Sequence, residues 1–234
     1  MKRFERQLLQ LPSQLDPRFK DEYESTVQMV LRSGISSRTA LVTMLTNPQA
    51  SPELLEAICW VMGRQSNSRG FRTAIKRTLK HKQPHVRIAA AMSLGLLSAK
   101  SAVPTLLTLA IKDTEQIVRK AAIHALGEID DRRAISILGQ LLLDKREDVS
   151  VRCSAAESLG YLQNPNSLDQ LLTALNAAEP EVRYSAAFAL AWLGDTKALP
   201  YLKNQLAVET AEIPIWGSVK KRIARTIKDI STNK

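Results

Sequence analysis

The sequence predicts an all-α protein, an α-solenoid of stacked helical hairpins, and three observations carry that prediction. First, one frame is written four times. Arg87, Arg119, Arg152 and Arg183 each follow a valine, at steps of 32, 33 and 31 residues. Three and four places on stand Ala90 and Ala91, Ala122 and Ile123, Ala155 and Ala156, and Ala186 and Ala187. Seven on stand Leu94, Leu126, Leu159 and Leu190, and eight on Gly95, Gly127, Gly160 and, in the last copy, Ala191. Second, an apolar run of helical periodicity separates the copies, at 102–111, 134–143, 168–175 and 198–206. Third, the period fits two helices of about a dozen residues plus short turns. One such pair cannot cover its own apolar faces, so pairs must stack into a continuous core.

Within each frame, offsets −1, +3, +4, +7 and +11 from the arginine share one face at 3.6 residues per turn, an apolar stripe for burial. Small residues at +3 and +4 let a neighbouring helix approach closely. Pro104 and Pro200 fall in the first turn of their runs, where a missing N–H costs little.

Taken in order, residues 1–36 read as a helical N-terminal cap: a short helix at 4–11, breakers Pro12 and Pro17, then a helix at 18–31 capped by Asp16. Residues 37–207 hold about five helix pairs. The first pair, 37–45 and 52–63, is degenerate, with Leu55 in the arginine position and Gly63 eight on. The helix at 70–79 buries Phe71, Ala74, Ile75 and Leu79 and turns Arg69, Arg72, Lys76 and Lys80 the other way, with Arg77 beside them. Turns are marked at 130–131, 145–148, 164–166 and 194–195. Residues 208–234 read as a C-terminal capping helix after an insert at 209–217. That insert is expected to tuck Ile213, Ile215 and Trp216 under the last pair as a plug, and Val219, Ile223, Ala224 and Ile227 to continue the buried frame.

The frame V-R-x-x-A-A-x-x-L-G, a turn, then A-x-P-x-L-x-x-L resembles the short HEAT-like repeat named after phycobilisome bilin lyases. The match is specific over 84–207 and weaker over 37–83. The resemblance implies a right-handed α-α superhelix with the V-R helices lining its concave face. Members include E/F-type lyases that attach open-chain tetrapyrroles to phycobiliprotein cysteines, often as heterodimers of two repeat proteins, relatives that dismantle phycobilisomes, and binding scaffolds. Deoxyhypusine hydroxylase carries related repeats with His-Glu metal pairs. This chain has no adjacent His-Glu, and its three histidines show no metal-ligand spacing, so no metal is expected.

The formal net charge of +10 is concentrated. Between Glu56 and Asp113 no acidic residue occurs against ten lysines and arginines, and the remaining 23 basic and 23 acidic residues cancel. No run approaches the length of a membrane span and the first residues lack a signal-peptide core. Two cysteines on separate helices suit a cytoplasmic chain.

Positions that stacking does not dictate are the candidates for function. The repeated arginines are assigned to structure, bonding turn carbonyls or acids such as Asp113 and Asp148, rather than to an anion track. Offsets +5 and +9 point away from the buried stripe. They read Trp60 and Arg64, Met92 and Leu96, His124 and Glu128, Glu157 and Tyr161, Phe188 and Trp192. With Tyr184, these aromatics form an expected ligand groove. His124 and Glu128, with Glu157 one repeat on, are the candidate acid–base group, against the plainer reading of a surface pair. Cys153 flanks the groove and reads as packing. The Arg69, Arg72, Lys76, Arg77, Lys80 stripe reads as a solvated face, a phosphate contact, or a dock for an acidic protein.

The resemblance implies a factor acting on phycobiliproteins: attachment, transfer or detachment of a bilin such as phycocyanobilin, with a phycobiliprotein and a second repeat subunit as partners. The alternative is a non-catalytic protein-interaction scaffold. A nucleic-acid-binding HEAT protein is a third reading.

Overall fold

The computed structural model describes residues 38–64 and 69–232, together with Ser25, Gln28 and Val30. The expected cap at 1–36 otherwise lies outside the described residues. The chain divides into two compact units, Met1–Thr105 and Leu106–Lys234.

In the first unit, α1 (Arg38–Leu45), α2 (Pro52–Gly63), α3 (Arg69–Thr78) and α4 (Pro84–Leu96) follow one another. Ser51 accepts a hydrogen bond from the Leu54 N–H, and Pro52 opens α2 where no donor is needed. Phe71, Ala74 and Ile75 of α3, Leu79 just after it, and Leu55, Ile58 and Met62 of α2 are buried, as their spacing requires. Helices α2 and α4 pack on one another most extensively.

The unit boundary falls within α5 (Val103–Lys112). The second unit contains α6 (Gln116–Ile129), α7 (Ile135–Leu143), α8 (Val149–Tyr161), α9 (Leu168–Ala174), α10 (Pro180–Leu193), α11 (Leu199–Val208) and α12 (Val219–Thr232). Helices α6, α8, α10 and α12 stack in sequence, with α7, α9 and α11 packed behind α8, α10 and α12. This is the helical-hairpin repeat array that the period predicts.

The stacking has a specific chemistry. A hydroxyl six residues past the frame position reaches back to a backbone carbonyl one repeat earlier. Ser93 donates to Cys59 O at 2.8 Å, Ser158 to Ile123 O at 3.1 Å, and Thr226 to Ala187 O at 2.9 Å. The frame glycine receives that neighbour. A Cβ on Gly63 would lie 2.8 Å from the Ser93 Cα, and one on Gly160 would lie 2.8 Å from the Ala189 Cα. Both are closer than real contacts allow, so the helices touch backbone to backbone only because the side chain is missing.

Three details differ from the sequence reading. Offset +11 is not part of the buried stripe. Ser98, Asp130, Gln163 and Gly194 all stand there with φ of 46°, 52°, 43° and 67°. Each is a left-handed stop after its helix, ahead of a 3-10 turn such as Arg132–Ala134 or Thr196–Ala198. On α12, Ala224 is exposed, while Arg222 is buried against Phe188 and Thr226 is buried at the same hydroxyl position as Ser93 and Ser158. The insert forms a two-stranded hairpin, Glu212–Ile213 with Gly217–Ser218. Its Ile213 is buried, but Ile215 is fully exposed and Trp216 43% exposed, so these two side chains are not a plug.

What closes the last pair is Glu209. It is buried, and it accepts from Arg183 Nε at 2.6 Å and Nη2 at 2.9 Å, from Gln205, and from the Ala211 N–H.

Candidate functional site

The frame arginines are engaged in structure. Arg119 donates to Asp113 O and to Glu147 at 2.7 Å. Arg152 donates to Leu142 O and to Glu179 at 2.9 Å. Arg183 donates to the Ala177 and Ala178 carbonyls and to Glu209. Arg87 donates to the His81 and Lys82 carbonyls. Each ties down the turn before its helix, and three of them also hold an acid from the following repeat. The acids are Glu147, Glu179 and Glu209, not Asp113 and Asp148. Asp113 serves Arg119 through its carbonyl, and the Asp148 side chain instead accepts from the Ser150 N–H at the start of α8.

With the arginines so occupied, the +5 and +9 positions define the open face of the stack. In the second unit the aromatics meet. Tyr161 on α8 stacks on Trp192 of α10 with centroids 4.2 Å apart, and Phe188 tilts against Trp192 at 4.3 Å. His124 of α6 meets the edge of Tyr161 at 6.4 Å. Tyr161 is half exposed, and Phe188 and Trp192 are partly open to solvent. Side chains on the stacked helices therefore build an aromatic shelf, Tyr161 and Trp192 stacked with 30° between their planes and Phe188 tilted at 56° to Trp192. Tyr184 stands one helical turn before Phe188 and tilts against Trp216 of the hairpin at 5.5 Å.

The candidate acid–base residues flank this shelf. Glu128 and His124 are exposed on α6, and no hydrogen bond joins them among the described residues. Glu157 is half-buried on α8. Burial raises its carboxyl above the usual range, and His124, Lys120 and Ser185 draw it partly back. Burial, with Glu157 and Glu128 adding, raises the Tyr161 phenol. The two carboxylates thus lie close enough to Tyr161 for their charges to act on it. Cys153 is buried and its thiol is pushed up to about 11 by that burial, and Cys59 to about 12. Neither thiol is an available nucleophile near neutral pH.

The remaining candidates lie in the first unit and are described there by themselves. The Arg64 guanidinium sits 5.3 Å over the Trp60 ring, a cation–π pair on α2. On α3, Arg72 and Lys76 are half-buried and Arg77 is exposed, as is Lys80 in the turn after it, while the Arg69 side chain lies outside the described residues. A cleft of about 430 Å³ opens beside this helix, lined by Thr46, Asn47, Arg77, Lys80 and His81. Burial, with Lys82, His85 and Arg87 adding, lowers His81 below the ordinary imidazole value.

Arg222 escaped the sequence reading. It sits at the shelf's far end with its guanidinium carbon 5.0 Å over the Phe188 ring. The stretched final repeat hid it, since the insert shifts its register relative to the other frames. No group of His, Cys, Asp and Glu among the described residues is arranged to hold a metal. No helix among them is long and apolar enough to cross a membrane.

Comparison with known proteins agrees with this architecture. The HEAT repeats family matches residues 71–149 and 142–215. The bilin biosynthesis protein PecE of Mastigocladus laminosus is 29% identical over 62% of this chain and 63% of its own length. Deoxyhypusine hydroxylase of Mus musculus is 31% identical over 59% of this chain and 49% of its own. The chain therefore spans from about half to just under two thirds of these curated relatives. Among solved structures, the complex of CpcE and CpcF of phycocyanin lyase from Nostoc sp. PCC7120 aligns with a TM-score of 0.53 and 28% identity, over 66% of this chain and 96% of that one. By its repeat frame, its glycine-mediated stacking and these matches, the chain belongs to the family of HEAT-repeat proteins, with repeats of the phycobilisome-lyase type.

Proposed function

We propose that this protein acts on phycobiliproteins as a bilin lyase-like factor, attaching, transferring or detaching an open-chain tetrapyrrole. The observation that carries the reading is the Tyr161–Trp192–Phe188 stack, three aromatic rings left on an open face where the repeat needs none of them. A conjugated tetrapyrrole offers the flat π surface that such a shelf binds. The likeness to PecE and to the CpcE–CpcF complex supports the same ligand class. Attachment would join a cysteine sulfur of the phycobiliprotein to the pigment and move the thiol proton onto it. Glu157, raised by burial, suits the holding of that proton, with His124 and Glu128 at hand to relay it.

The basic face of α3 would steer an acidic phycobiliprotein into place, Arg72, Lys76 and Lys80 acting through long-range attraction that salt weakens. A second repeat subunit, as CpcE has in CpcF, would complete the enzyme. The setting is the cytoplasm of a cell that builds phycobilisomes. An interaction scaffold without chemistry is the second reading, favoured by the basic cleft beside α3, which offers a protein grip independent of the shelf.

The discriminating experiment is a pull-down with apo-phycobiliprotein at low and high salt, together with the Arg72→Glu, Lys76→Glu, Lys80→Glu triple variant. The lyase-like reading expects salt-sensitive capture lost in the variant, and pigment transfer lost with Glu157→Gln while capture persists. Capture with no pigment chemistry in any combination of subunits would leave the scaffold.

A further inference from the structure

We propose that Arg222 is the anion anchor of the aromatic shelf, so that the site takes a flat conjugated molecule carrying a carboxylate. The inference rests on the proposed function for the identity of that molecule, but not for its charge.

Arg222 is poorly compensated by its own fold. Its side chain is 7% exposed, yet its ion-pair contact with Asp229 is 3.4 Å long. Its Nε is buried without a hydrogen-bond partner. Other buried arginines of this unit are held tightly: Arg183 grips Glu209 with two bonds, and Arg152 has both a carbonyl and a carboxylate near 3 Å. The Tyr184 side chain is its other polar neighbour, and a buried cation left with a stretched carboxylate, a phenol and an unpartnered Nε carries a desolvation cost that its own fold does not repay. The Phe188 ring beneath it contributes cation–π attraction but offers no acceptor for its N–H groups.

Position supplies the second part. Arg222 adjoins Phe188, Phe188 adjoins Trp192, and Trp192 stacks on Tyr161, so the cation ends a continuous aromatic surface. Tyr184, paired with Trp216 of the hairpin, is also a neighbour of Arg222. The hairpin tip next to Trp216 carries Ile215, fully exposed and held at φ 75°, a conformation that β-branched residues rarely adopt. Apolar rim, flat rings and one unsatisfied guanidinium fit a planar acid, the rings taking its face and the fork taking its carboxylate. Asp229, 41% exposed at the rim, is the internal anion that such a ligand would displace.

The test compares phycocyanobilin with its dimethyl ester, which keeps the π system and removes both charges. Binding is followed by pigment absorbance. The expected result is that the free acid binds about 10-fold tighter than the ester, the size of one charge-assisted hydrogen-bonded contact. Arg222→Gln should erase that difference, and Asp229→Asn should tighten the acid alone. Equal binding of acid and ester to the unmodified protein overturns the anchor while leaving the proposed function standing. If neither pigment binds, the proposed function fails. The anchor is then judged with anilinonaphthalene sulfonate against uncharged phenylnaphthylamine. A sulfonate preference lost in Arg222→Gln supports it, and no preference overturns it. Should Arg222→Gln lose its helical circular dichroism, the acid–ester comparison and Asp229→Asn decide alone.

Discussion

Replacing Glu209 by glutamine should unlock the C-terminal end of the stack in a pH-dependent way. The carboxylate accepts two bonds from Arg183, one from Gln205 and one from the Ala211 N–H. The Arg183 bonds, before the others, hold its carboxyl at about 2 against an ordinary 4.5. A drop of that size converts to about 3 kcal/mol, and solvent screening near the chain's edge reduces the working figure to ~2 kcal/mol. The folded-state value lies below the unfolded one. The contribution is therefore fully present above pH 4.5 and is lost as pH falls toward 2. Glu209→Gln should cost ~2 kcal/mol at pH 7 and progressively less below pH 4.5, where the parent has given up the same interaction. The assay is urea unfolding at pH 7, 4 and 2.5, read by circular dichroism and by tryptophan fluorescence. Trp216, on the hairpin that follows Glu209, should report first. A loss below about 0.5 kcal/mol at pH 7, or an equal loss at pH 7 and 2.5, would refute the assignment of Glu209 as the lock.

Other expectations test the stack and its stops. Gly160→Ala gains about 1 kcal/mol of helix propensity but drives a methyl to 2.8 Å from the Ala189 Cα and 3.0 Å from Trp192 Cε3. Overpacking of that kind costs about 1–3 kcal/mol, so thermal melting should show a net loss, and an unchanged or raised Tm would contradict the close approach. Gln163→Gly should do the reverse, because Gln163 stands at φ 43° and gives up only an exposed Nε2 donation to Trp192 O at 3.2 Å. Relief of the left-handed strain predicts a gain of up to about 1 kcal/mol in the same melts. Ser158→Ala should lose about 1 kcal/mol, one buried hydrogen bond to Ile123 O, by denaturant midpoint.

The repeat was legible because a single frame is copied, and copied positions report what stacking requires. Val, Ala and Leu at fixed offsets announced the buried stripe, but close approach was read from the small residues at +3 and +4, and only the structure shows it at Gly127 and Gly160. The same logic assigned the arginines to structure. It could not name their acids, since Glu147, Glu179 and Glu209 lie 26–28 residues downstream in differently built turns. The stop at offset +11 was misread because Ser98, Asp130 and Gln163 are not glycines, and helical periodicity alone does not say where a helix ends. The aromatic shelf was legible as positions and illegible as contacts. Tyr161 and Trp192 are 31 residues apart, and only the stacking of α8 on α10 shows that they meet. Arg222 and the hairpin belong to the one irregular stretch, where no copy existed for comparison.

The most direct measurement of the central claim is an absorbance and fluorescence titration of the purified protein with phycocyanobilin, repeated with Trp192→Ala. The account predicts a saturable, red-shifted spectrum, weakened by about 10-fold in affinity when the shelf loses its central ring. No spectral change, with or without an added apo-phycobiliprotein, would contradict it.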